Sequence, residues 1–175
     1  MKNKFLFSIC LIVLFVVIFF AQIYLIDGKS LFGVKPNIIL ISVIVFTLFS
    51  GLYKGSIYSL FVGVLCDFIY GSNFGVFTIS YVVVAIIIGF IEQNYRKENK
   101  TTLIVMTFLG TACFEIIEYI IYSISLSSVI NIFFLIKQIF LASILNMVVV
   151  WILNGIVLKI AEYFEIKSRE KDALY

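Results

Sequence analysis

Apolar residues run through the chain in six long stretches, and the polar residues that part them fall in short clusters. The first stretch, 5–26, is nearly uninterrupted hydrocarbon behind Lys2 and Lys4. A secretory apolar region is only about 7 to 15 residues long and ends at a small-residue cleavage site, so this run reads as a retained first span. Polar residues 27–35 follow, with Gly28 and Gly33, and Pro36 sits where the first turn of a second helix would begin. Proline suits that place because the first helical N–H has no partner within the helix anyway. Further spans are predicted at about 37–50, 55–70, 77–91, 103–123 and 136–157, the second and third being short for a bilayer. Gly71, Ser72, Asn73 and Gly75 predict a turn. The fourth span is rich in Val and Ile, which membrane helices accept because the backbone must satisfy itself in lipid. Residues 124–135 are ambiguous, and 159–175 read as a short interfacial helix end that frays into solvent.

Within the third stretch the small residues recur every fourth position: Gly51, Gly55, Ser59 and Gly63, then Asp67, Gly71 and Gly75. Residues four apart lie above one another on a helix, so Gly55, Ser59, Gly63 and Asp67 form a narrow stripe ending in a carboxylate. In lipid such a stripe is a packing surface, because membrane helices associate through close van der Waals approach. Either this protein's own helices or a partner could fill it. For Asp67 two readings stand: its carboxylate accepts hydrogen bonds from the backbone of the turn beyond it, or it binds a partner or ligand directly.

Composition makes the membrane assignment firm. Apolar residues are 63% of 175, charged residues 13%, and mean hydropathy is +1.17. These values describe an all-α polytopic membrane protein, a bundle of six transmembrane helices in a single domain. Thirteen Lys and Arg against ten Asp and Glu leave +3. With both termini cytoplasmic, Lys2, Lys4, Lys54, Arg96, Lys97, Lys100, Lys159, Lys167, Arg169 and Lys171 fall inside and only Lys29, Lys35 and Lys137 outside. Basic residues in short loops favour the cytoplasmic face, so this orientation is the expected one. No basic patch suggests nucleic acid, and the expected surroundings are membrane lipid.

Catalytic chemistry finds little to work with. There is no histidine, and Cys10, Cys66 and Cys113 sit singly in apolar runs without ligand spacing. No catalytic residue, metal site or cofactor is expected. Ionisable groups within spans cost about 2.5 to 3.5 kcal/mol each and need a reason. Glu115 and Glu118 share one face of the fifth span and Lys137 lies near the start of the sixth, a candidate intramembrane polar cluster. It would serve as a helix-packing ion pair, as an outward-opening polar pocket or as residues snorkelling to the interface.

Pro36-Asn37-Ile38 opening a span, Gly55, the run Gly63-Val64-Leu65-Cys66-Asp67, Tyr70-Gly71, Gly75 and Tyr81 together resemble the rod shape-determining protein MreD family. The resemblance covers roughly Pro36 to Gly89. It departs from the family at Asn37, where an acidic residue is common, and at Cys66, where leucine is typical. It implies a non-enzymatic protein of the bacterial inner membrane that acts with MreC, MreB, a class B penicillin-binding protein and RodA in lateral peptidoglycan synthesis. It also implies similarity in fold to the S components of energy-coupling-factor transporters. The alternative function is therefore an S-component-like, vitamin-binding subunit with a pocket near Asp67, Glu115 and Glu118.

Overall fold

The computed structural model describes residues 16–26, 30, 33–70, 74–92, 100–126 and 131–172, with the backbone alone at 25, 26, 126 and 156–172. Residues 16–26 belong to the first helix, α1, which ends in a π-helical turn, Gln22–Ile26. Then come α2 (Ile38–Ser50), α3 (Leu52–Tyr70), α4 (Val76–Glu92), α5 (Lys100–Leu126) and α6 (Ile132–Asp172). The protein is thus all-helical in its described residues. Three segments are long and apolar enough to cross a membrane, Leu52–Tyr70, Lys100–Ser125 and Ile132–Gly155, while Ile38–Ser50 and Val76–Glu92 are apolar but shorter.

The shortest of the last five helices is the central one. α2 packs against α3, α4, α5 and α6 alike, and Leu40, Val43, Ile44 and Thr47 are wholly buried in it. A helix apolar on every side is stable only where neighbours surround it. Around it the chain folds as two antiparallel pairs, α3 with α4 and α5 with α6.

Two glycines set the sharp reversals. Gly51 has φ +83°, and its N–H donates to the carbonyl of Thr47 at 2.9 Å, ending α2. Because that backbone conformation reverses the chain in one residue, α3 begins at Leu52, earlier than the hydropathy pattern suggests. Gly89 makes room for this start: a Cβ there would stand 2.8 Å from Leu52 Cα. Gly75, with φ +101°, turns α3 into α4.

The last helix also differs from the expected segmentation. Asn131 accepts from the Phe134 N–H at 3.2 Å, a side-chain cap that starts α6 four residues before 136. From there one helix of 41 residues runs to Asp172, through the tail expected to fray.

Candidate functional site

Gly55, Ser59, Gly63 and Asp67 are all buried inside the bundle. Gly55 faces α2: a Cβ there would lie 2.6 Å from Thr47 Cγ2 and 2.8 Å from its Cβ. Gly63 faces α4, where a Cβ would lie 2.5 Å from Thr78 Cα and 3.2 Å from the Phe77 carbonyl oxygen. The small side chains therefore set how closely α3 approaches its two neighbours. Ser59 turns its hydroxyl back to the Ser56 carbonyl at 2.9 Å and presents little bulk. A partner helix has no access to this stripe while α2 and α4 occupy it.

One turn beyond Gly63, Asp67 takes hold of the same stretch of α4. Its Oδ1 accepts from the Phe77 N–H at 2.9 Å, and its Oδ2 from the Thr78 N–H at 3.0 Å and the Thr78 hydroxyl at 2.5 Å. The first N–H groups of a helix lack intrahelical acceptors and carry partial positive charge. A carboxylate from the preceding helix thus supplies the cap that α4 lacks in its own sequence, since Gly75 has no side chain. Gly75 forms the turn itself, and Gly71 lies outside the described residues.

A second polar centre lies at the start of α2, and sequence reasoning saw only part of it. Asn37 caps its own helix, Oδ1 accepting from the Leu40 N–H at 2.9 Å, and its Nδ2 donates to the Tyr81 hydroxyl on α4 at 3.3 Å. The Asn37 N–H donates to Asn146 Oδ1 on α6 at 2.7 Å, and Asn146 Nδ2 donates to Thr111 Oγ1 on α5 at 3.1 Å. From α1, the Gln22 amide accepts from the Ile38 N–H at 2.8 Å and donates to the Pro36 carbonyl at 3.2 Å. Five helices meet in this knot. Pro36 contributes by bringing no N–H that would need a partner. Gln22, Thr111 and Asn146 carried no signal beyond being polar residues in apolar runs, which in membrane segments is itself a pointer.

Glu115 and Glu118 lie close together on one face of α5, and Lys137 bonds to neither. Glu115 Oε2 accepts from Gln138 Nε2 at 2.9 Å, so the residue that joins α5 to α6 is the neighbour of Lys137. Lys137 is exposed and, like Glu118, has no ion pair among the described residues. A helix turns by about 100° per residue, which separates adjacent side chains onto different faces.

Among the described residues no three His, Cys, Asp or Glu side chains converge as metal ligands. Cys66 and Cys113 are free thiols, and Cys10 lies outside the described residues. A surface groove between α5 and α6, lined by Ile104, Met147, Val148 and Trp151, is wholly apolar.

No curated protein and no solved structure gives a significant match to this sequence. The family model of rod shape-determining protein MreD matches residues 1–162, nearly the whole chain, which therefore belongs to the MreD family.

Proposed function

We propose that this protein is a non-enzymatic scaffold of the cell-elongation machinery in the bacterial inner membrane. It would couple MreC and the MreB filament to lateral peptidoglycan synthesis by a class B penicillin-binding protein and RodA. Both termini are assigned to the cytoplasm, in keeping with the distribution of Lys and Arg. In this orientation the Asp67 end of α3 faces outward.

The observation that carries the reading, beside the family match, is where the polar groups go. Asn37, Tyr81, Thr111 and Asn146 bond to one another, and Asp67 spends both oxygens on α4. A vitamin site of S-component type needs several convergent polar groups turned toward a cavity. Here those groups stitch helices together, which favours a scaffold over a small-molecule binder. Gly55, Ser59, Gly63 and Asp67 then serve function indirectly, by fixing the shape of the surface that partners meet.

Depletion in a rod-shaped bacterium tests the role. Cells should widen and round, and the full-length chain should restore normal width. Normal width during depletion would refute it. Saturable binding of a vitamin to the purified protein, with shape unaffected, would establish the transporter alternative.

A further inference from the structure

Near the end of the bundle where α5 begins, the α5–α6 hairpin carries a groove of about 130 Å3. Its walls are Ile104 on α5 and Met147, Val148 and Trp151 on α6, all apolar. Val148 is 44% and Trp151 67% exposed, so the groove opens sideways into the hydrocarbon of the membrane.

The groove leads to the membrane edge. α5 and α6 run in opposite directions, since Tyr119 meets Asn131, Glu115 meets Gln138 and Thr111 meets Asn146. Continuing that pairing brings the first turn of α5 beside the turn of α6 that holds Gly155, and the apolar spans end at Lys100 and Gly155. Lys100 is exposed, one turn before Ile104 on the same face of α5. On α6, Gly155 and then Lys159 continue the line of Trp151 at single-turn steps. A Cβ on Gly155 would meet nothing within 4 Å, so the surface beyond Trp151 is open. Across 96–100 and 155–162 the sequence sets Arg96, Lys97, Lys100 and Lys159 against Glu98 and Glu162, a basic balance.

The shape asks for something narrow and apolar along most of its length and negative at one end. An α-helix, about 10 Å across, is too wide to enter. A zwitterionic phospholipid would fill the groove and leave the lysines without a counter-charge, while a soluble anion would leave the groove uncovered. We propose that the groove holds one acyl chain of an anionic phospholipid such as phosphatidylglycerol, whose phosphate sits beside Lys100 and Lys159. The site is independent of the scaffold reading and of which face of the membrane Lys100 occupies.

Native mass spectrometry of the full-length chain in detergent tests it, with phosphatidylglycerol and phosphatidylcholine of identical acyl chains as probes. Phosphatidylglycerol should be retained at least about fivefold more strongly, the effect of roughly one basic residue beside an anionic headgroup. Lys100→Glu should abolish that preference and Lys100→Arg should keep it. Val148→Trp, which adds bulk at the exposed rim, should lower retention of both lipids while the thermal unfolding of the protein stays near the parent's. Lys54, exposed at the start of α3, is the control, and Lys54→Glu should change nothing. Equal retention of the two lipids, a preference indifferent to Lys100→Glu, or an equal loss in Lys54→Glu would each overturn the proposal. So would a photoreactive side chain at position 148 that captures polypeptide instead of lipid in living cells.

Discussion

Asp67 holds Thr78 twice, through the backbone N–H and through the hydroxyl, across 11 residues and the whole α3–α4 turn. The same carboxylate also receives the Phe77 N–H. Removing it leaves two half-buried helix-start amides without their acceptor, at about 1 to 3 kcal/mol in all. Asp67→Ala should therefore lower thermal stability in detergent clearly. Asp67→Asn keeps one acceptor oxygen and loses the charge favoured at a helix start, so its loss should be smaller. Stability of Asp67→Asn equal to that of the parent would show that the charge contributes nothing.

The two buried glycines of α3 make opposite predictions for rescue. Against Gly55 stands the side chain of Thr47, so Gly55→Ala should destabilise and Thr47→Ala should recover part of the loss. Against Gly63 stands the backbone of Thr78, which no side-chain change removes. Gly63→Ala should cost about 1 to 3 kcal/mol, and Thr78→Ala should not recover it. Double-mutant cycles on thermal unfolding measure both couplings.

Asn37→Asp should be tolerated as long as Tyr81 is present. The amide of Asn37 donates to the Tyr81 hydroxyl, and a hydroxyl can reverse the bond and donate to a carboxylate. In a Tyr81→Phe background the same change leaves a buried carboxylate short of one donor, and the loss should rise by about 1 to 3 kcal/mol. Additive losses in the double variant would contradict this coupling.

Gln138→Leu should weaken the α5–α6 pair by about 1 to 3 kcal/mol, because it strands the Glu115 carboxylate. Glu115→Leu combined with Gln138→Leu should come back close to the parent, since replacing both partners with apolar groups leaves nothing unpaired. Reversible unfolding in mixed micelles gives the comparison.

Legibility in the sequence followed the range of the interaction. Helical stretches and the buried stripe of α3 come from spacing within one segment, which a sequence displays directly. Asp67 was legible as well, because its partners lie just past a glycine turn that the sequence marks. The knot at Asn37 was not: its partners are at 22, 81 and 146, and nothing local tells a polar residue in an apolar run which distant helix it will meet. The same gap explains Glu115. Charge suggested Lys137, yet the rotation of α6 brings Gln138 to it instead. The start of α6 was hidden because Asn131, a capping residue, sits amid apolar neighbours that blur the boundary.

The bond from the Asn37 N–H to Asn146 spans 109 residues. A ribosome delivers α2 to the membrane long before it has made α6, so this amide first enters the bilayer with its eventual acceptor still unsynthesised. Thr111, the other end of the Asn146 bridge, waits in the same way. Closure of the centre is thereby timed to the arrival of the last span, and a chain that stops short of Asn146 carries an open backbone donor at its heart.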